Sequence, residues 1–294
     1  MRKSKLESYA LFLKEKGILL TKIDVCRLST IGVGGYATAV YPRSFTELIT
    51  VIDGCNTFGV RYVVLGCLSN VLPPTHDEDT LYIVMRKLNT VTLGDAPLVH
   101  AGATAQELLS ACRAQGKSGA EFLAGIPCTI GGAAFMNAGV NGRYFSEIVR
   151  SVIVYEDGGI RTYSQAECGY SYKRSRFMDG GVIFAAILNL SDASPKQVEE
   201  NIFAYMQARK RLPRGKSMGC VFKNPTGDYA GALIEKAGLK GLRKGGAVVS
   251  EEHANFIIND GGATTDDVRS LIETVRATVL EKFGVLLTEE IRYL

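Results

Sequence analysis

Apolar positions recur at three- and four-residue spacing in five stretches, each bracketed by helix start or stop chemistry. Leu6, Tyr9, Ala10 and Leu13 follow a Ser4-x-x-Glu7 capping pattern and run to Gly17. Leu48, Ile49 and Ile52 follow Ser44-x-x-Glu47, and Leu108, Leu109 and Cys112 follow Thr104-x-x-Glu107 up to Gly116. Pro195 suits the first turn of a helix reaching about Lys210, and the longest helix is expected over Thr264–Phe283, stopped by Gly284. Short β-rich runs lie between them at Tyr62–Leu65, Leu81–Met85, Val152–Tyr155, Val182–Leu190, Phe256–Ile258 and Ile291–Tyr293. The order is mixed, without strict strand–helix alternation, so the class is α+β. A seam is expected in the polar stretch Ser191–Lys216, which contains the basic run Arg209-Lys210-Arg211.

A chain of 294 residues suggests about two globular units at roughly 150 residues each. With 34 Lys and Arg against 30 Asp and Glu, the net charge of +4 gives no reason to expect nucleic acid or a membrane as a partner. Hydrophobic residues at 46% exclude a disordered chain, and the 32 glycines point to many positions of positive φ or close backbone approach. The seven cysteines are scattered and show no CxxC, so neither a disulfide framework nor a metal site is expected. The charged N-terminus is no signal peptide, and no run of about 18 apolar residues occurs, so a cytoplasmic, soluble protein is expected. Monomer or weak oligomer is the expected state.

Four segments could carry chemistry. Gly125–Gly139 is rich in glycine and small residues, which lets backbone N–H groups approach an anion; a tight turn before a closely packed helix would use the same residues. It matches neither GxGxxG after a strand nor GxxxxGK[ST]. Gly66-Cys67-Leu68-Ser69-Asn70 follows an apolar strand and reads either as a turn or as phosphate donors. In Gly219-Cys220-Val221-Phe222-Lys223-Asn224-Pro225 the cysteine is a core residue or faces a ligand. At the C-terminus, strand alternation puts Glu290 and Arg292 on one face and Glu289 and Ile291 on the other.

Together and in this order, these segments resemble the UDP-N-acetylenolpyruvoylglucosamine reductase (MurB) family. The resemblance is carried also by Ile31-Gly32-Val33-Gly34-Gly35, Pro42-Arg43-Ser44, Gly238-Leu239-Lys240-Gly241 and Ser250–Asn259, and runs from about residue 20 to the end. The short segment between Tyr170 and Asp228 resembles the compact subtype, which lacks an extra substrate-covering insertion. The resemblance implies a two-subdomain FAD-binding unit of the vanillyl-alcohol-oxidase type, residues 1–90 and 91–197, plus a C-terminal α+β substrate-binding domain, residues 198–294. It implies FAD and NADPH as cofactors and a UDP-sugar substrate whose enolpyruvyl group is reduced to a lactyl ether. The implied cofactor contacts are Gly66, Ser69 and Asn70 from the first run, and Gly125, Ile126, Pro127, Thr129, Gly131, Gly132, Ala133, Asn137, Ala138 and Gly139 from the second.

Hydride addition to the vinyl carbon leaves charge on the substrate carboxylate and then requires a proton on the adjacent carbon. The resemblance gives the proton to Cys220, polarisation of the carboxylate to Glu290, and the cationic role to Lys173, with Tyr172, Lys223 and Asn224 as substrate contacts. Three positions depart from the family pattern. Lys173 stands for an arginine and loses its planar fork, with Arg174 on the opposite face if the segment is extended. Leu68 stands where a glycine normally lies against the FAD diphosphate, implying weaker FAD binding or an altered loop path, and Val248 stands for a glutamine. The departures motivate a competing expectation, a catalytically weakened paralogue that binds flavin or UDP-sugar. A flavin oxidase of the same superfamily is a third.

Overall fold

The computed structural model describes residues 5–77 and 79–294, so the Ser4 end of the first capping pattern lies outside the described residues. The described residues divide into two compact units: 5–21, 38–66 and 79–209 form one, and 22–37, 67–77 and 210–294 form the other.

In the first unit, a parallel sheet places Thr80–Val84 between Tyr36–Val40 and Arg61–Leu65, with Leu81 paired to Thr38 on one side and Tyr62 on the other. The middle strand is buried along its whole length, which is why its sequence is continuously apolar after Thr80. Helix Phe45–Phe58 makes the crossover and buries Leu48, Val51, Ile52 and Cys55. Its cap is half a capping box: the Ser44 hydroxyl accepts the Glu47 N–H, while the Glu47 carboxylate takes the N–H of Arg43. Helix Lys5–Glu15 lays Tyr9 and Leu13 on this core, the Tyr9 hydroxyl donating to the Val51 carbonyl at 2.6 Å.

The same unit contains an antiparallel sheet in the order Gly159–Ser164, Val149–Glu156, Val182–Leu188, Leu98–His100, Val91–Thr92. Asp157 and Gly158 both take positive φ, at 50° and 74°, between the first two strands, a turn whose twist suits a tight hairpin. Helix Ala105–Gln115 carries the full capping box that Thr104 and Glu107 predict. Pro195 opens helix Pro195–Arg209 in its first turn.

The second unit is an antiparallel sheet, Lys216–Cys220, Phe256–Asn259, Ala247–Val249, Arg243–Lys244, packed with helices Ala230–Lys236 and Thr265–Phe283. Its core takes Val268, Leu271, Ile272, Val275 and Val279 from the long helix, and Ile31, Val33 and Leu72 from the two early segments. Val71–Leu72 pairs in parallel with Arg292–Tyr293, so the expected C-terminal strand is two residues long. Among the described residues no helix is long and apolar enough to cross a membrane.

The capping box at Thr104 has a pH signature. Burial alone would raise the Glu107 carboxyl, but hydrogen bonds from Thr104 and Asn89 and the Arg86 guanidinium outweigh it and hold Glu107 below its ordinary value. An acid depressed in the folded state stabilises above its unfolded value, and the contribution is lost as pH falls through the folded value. Thr104→Ala is expected to cost about 1 kcal/mol. Glu107→Gln is expected to cost stability at neutral pH and less in acid. Urea denaturation of the three proteins across that pH range measures both, and a pH-independent Glu107→Gln difference would contradict the assignment.

Candidate active site

In the second unit the Cys220 strand is not regular. Ser217 pairs with Ile258 and Cys220 with Phe256, so three steps on one strand match two on the other. The extra residue is a β-bulge, and Gly219 occupies it at φ 74°. Its physical effect is on parity. Met218 is buried in the core, and simple alternation would send Cys220 after it; the inserted residue reverses the alternation, so Val221 enters the core and Cys220 is half-buried.

Beyond the bulge the chain is held on both sides. The Val221 N–H donates to the Asn255 carbonyl at 2.8 Å, and the Asn255 carboxamide, 3% exposed, both accepts from the Phe222 N–H and donates to the Phe222 carbonyl. On the other side the Val221 carbonyl accepts the Glu290 N–H at 2.7 Å, and the Thr288 carbonyl accepts the Lys223 N–H at 2.8 Å. The thiol residue and the terminal acid are thus on hydrogen-bonded neighbouring segments. Glu289 pairs with Arg276 of the long helix at 2.8 Å, and Ile291 is in the core, so alternation turns Glu290 to the other side. The Asn224 side-chain oxygen accepts the Ala230 N–H and caps the short helix there. Ser69 and Asn70 also belong to this unit, and the Asn70 carboxamide donates to the Glu290 carbonyl at 3.1 Å.

The first unit holds Gly66, the Gly125–Gly139 run, Tyr172 and Lys173. The run is both of the things its glycines allowed, a turn and a closely packed helix, Ile130–Met136, with the Thr129 hydroxyl accepting the Gly132 N–H. A Cβ on Gly66 would run into the Thr129 hydroxyl, and one on Gly131 would lie 2.8 Å from the Ala101 side chain. Gly125, at φ 74°, has the Arg209 side chain 3.0 Å from where its Cβ would be. Gly139 and Ala138 leave the helix, Ala138 donating to the Ala133 carbonyl. Asn137 ends the helix in the left-handed region, and its buried carboxamide donates to the Ser171 carbonyl and accepts the Ser146 N–H.

That bond fixes the Tyr172–Lys173 segment. It is a tight turn closed by Ser171 and Arg174, with Lys173 at φ 54° and Tyr172 43% exposed, so the extended backbone considered for Arg174 is not formed. The Arg174 guanidinium is held by Asp179 at 2.9 Å, and the wholly buried Ser175 donates to the Phe135 carbonyl at 2.6 Å.

The geometry has clear relatives. Residues 210–294 match the C-terminal domain of UDP-N-acetylenolpyruvoylglucosamine reductase, and residues 36–164 match an FAD binding domain. A Bacillus subtilis protein named UDP-N-acetylenolpyruvoylglucosamine reductase is 34% identical over 95% of this chain and 94% of its own length. One of the same name from Caldicellulosiruptor bescii is 36% identical over 97% of the chain and 94% of its own. The chain belongs to the UDP-N-acetylenolpyruvoylglucosamine reductase family. The crystal structure of the MurB enzyme from Thermus caldophilus superposes with a TM-score of 0.83, at 32% identity, covering 94% of this chain and 99% of that one. The fold is therefore the MurB fold, α+β with an FAD-binding part and a C-terminal domain.

The three departures from the MurB pattern have different settings. Leu68 takes φ 47°, the backbone that glycine adopts at least cost, at an expense of about 1–2 kcal/mol, and its side chain is buried. Lys173 is also in the left-handed region. Val248 lines a cleft of about 250 Å³ with Arg214, Arg243 and Ser250. None of the histidines lies in a cofactor segment: His253 accepts from Asn255 N–H and packs on Phe256, and His100 packs on Phe45. The supporting amide of Asn255 was present in the Ser250–Asn259 match, yet its role depends on strand pairing and carries no local sequence signal.

Gly219 is expected to be intolerant for backbone reasons alone, since nothing lies within 4 Å of its missing Cβ. Gly219→Ala should destabilise the fold by about 1–2 kcal/mol and change the accessibility of the Cys220 thiol. Thermal unfolding and the rate of alkylation at Cys220 test this; a variant with wild-type values in both would mean that the bulge does not set the thiol.

Proposed function

We propose that Cys220 supplies the proton and Glu290 polarises the substrate carboxylate in this enzyme, an FAD-containing oxidoreductase of peptidoglycan precursor synthesis. It uses NADPH to reduce the enolpyruvyl ether of UDP-N-acetylglucosamine to UDP-N-acetylmuramate. The residue assignment rests on one observation, the 2.7 Å hydrogen bond that joins Glu290 to the residue next to Cys220.

The cofactor segments fit a flavin dinucleotide. Gly66 and Gly131 let the backbone pack directly on Thr129 and Ala101, and Thr129 caps a turn of small residues whose N–H groups suit an anion. Ser69, Asn70 and the Gly125–Gly139 run are the proposed contacts. When bound, the flavin supplies the hydride chemistry, between NADPH and the vinyl carbon of the substrate.

The chain's own residues do the rest. Lys173 and Lys223 offset the charge of the substrate's carboxylate and diphosphate, with Tyr172 and Asn224 orienting the sugar nucleotide. Glu290 helps polarise the substrate carboxylate on which charge grows. Cys220 gives its thiol proton to the carbon next to that carboxylate, completing the lactyl ether. The cofactor part is proposed as two subdomains, about 1–90 and 91–197, before a substrate domain from about 198 whose core also takes Ile31, Val33 and Leu72 from within the first range. We place the enzyme in the cytoplasm as a monomer or weak oligomer.

Purified protein should be yellow. Cys220→Ala and Glu290→Gln should leave flavin reduction by NADPH near wild type and slow oxidation of the reduced flavin by the enolpyruvyl substrate. For Glu290→Gln the loss should be about 2.7–4 kcal/mol, or 10²–10³-fold. Rapid-mixing absorbance separates the two half-reactions. Equal slowing of both in either variant would remove that residue from the assignment.

A further inference from the structure

Glu290 lies in irregular backbone just before the two-residue strand Arg292–Tyr293. Besides its bond to Val221, it is tied by one residue in particular. The Asn70 carboxamide donates to the Glu290 carbonyl at 3.1 Å, and the Asn70 carbonyl accepts the Arg292 N–H at 3.0 Å. Asn70 therefore grips the terminal segment on both sides of Ile291, which is 4% exposed in the core. The next residues continue the grip as the two-residue parallel pairing of Val71 and Leu72 with Arg292 and Tyr293.

The register of this grip decides which acid is presented. Glu289 and Glu290 are adjacent, and only one of them can face away from the long helix. Glu289 is on the helix side with Arg276, and Tyr293, two turns of the alternation later, has Arg269 5.3 Å from its ring centre. A slip of one residue would send Glu290 to Arg276 and bring Ile291 out of the core. Two hydrogen bonds from one side chain and its own backbone, flanking Ile291, hold the chain against that slip.

The geometry points to Asn70 as a positioning residue for Glu290: its carboxamide holds the acid's backbone in register, in addition to whatever its loop contributes to the cofactor. This rests on the reading of Glu290 as the acid of the second half-reaction, and it concerns side-chain chemistry of this chain that the cofactor does not supply.

The test uses Asn70→Ala and the near-isosteric Asn70→Asp in the full-length protein, each alone and with Glu290→Gln. FAD affinity is measured by titration, and the half-reactions are measured with the flavin site saturated. Asn70 is also a proposed flavin contact, so the readout is relative: oxidation of the flavin by the enolpyruvyl substrate is expected to fall about 10–100-fold further than its reduction by NADPH, with KM for that substrate changed by less than about threefold. In the Glu290→Gln background the Asn70 substitutions should slow that step no more than about twofold, because the group they position is already gone. Hydrogen exchange on the flavin-free proteins reads the grip directly: the amides of Glu290 and Arg292 should exchange at least about tenfold faster in both variants. Equal slowing of both half-reactions, effects that multiply with Glu290→Gln, or wild-type exchange at those amides would each overturn the proposal. If Glu290→Gln alone leaves the second half-reaction at the wild-type rate, the reading beneath it fails instead, and the exchange result still decides whether Asn70 holds the segment.

Discussion

The peptide groups of Val221 and Phe222 are the pivot of the second unit. They are buried, and each N–H and C=O that is taken from water there must be matched. Asn255 meets three of them, one through its backbone carbonyl and two through its carboxamide, and Glu290 meets a fourth. Leaving a buried peptide group unmatched costs about 1–3 kcal/mol, a large share of the usual stability of a domain. The same bonds that avoid this penalty also set Cys220 and Glu290 on adjacent segments. Stability and the proposed chemistry are in this sense served by one set of contacts.

Asparagine recurs wherever irregular backbone has to be fixed. Asn259 donates to the carbonyls of Ile31 and Gly32 and accepts from Gly261 and Ala263, and Asn137 joins the glycine-rich run to Ser171 and Ser146. A carboxamide offers both a donor and an acceptor on a short stem, so it can stand in for a missing strand partner. MurB chemistry needs loops that bring backbone close to a dinucleotide. Loops lack the repeating hydrogen bonds of a sheet, and these side chains replace them.

How much of this could be read from sequence follows from how local each feature is. Helix ends were legible because caps are decided within four residues: Thr104, Pro195 and Thr264 all act where their sequence context puts them. The strand of Val182–Leu188 was legible from its apolar run, although it stops two residues short of the expected Leu190. The site was legible as a set of family-like segments, but its construction was not. The bulge at Gly219 exists only against the Phe256–Asn259 strand, and the turn at Lys173 only because Asn137 and the Phe135 carbonyl anchor it from another part of the chain. Val71–Leu72 gave no strand signal because two residues cannot show alternation.

The hydrophobic interior that holds Val268 and Ile272 also takes Ile31, Val33 and Leu72 from segments about two hundred residues earlier in the chain. On the ribosome those three side chains emerge roughly two hundred positions before their neighbours, at a pace of about 5–20 residues per second. They must remain uncommitted while everything between them is synthesised. Such long-range closure is intrinsically slow. A fragment beginning at Lys210 would therefore have a hole where an isoleucine, a valine and a leucine belong, which argues against handling this part of the enzyme as a detachable module.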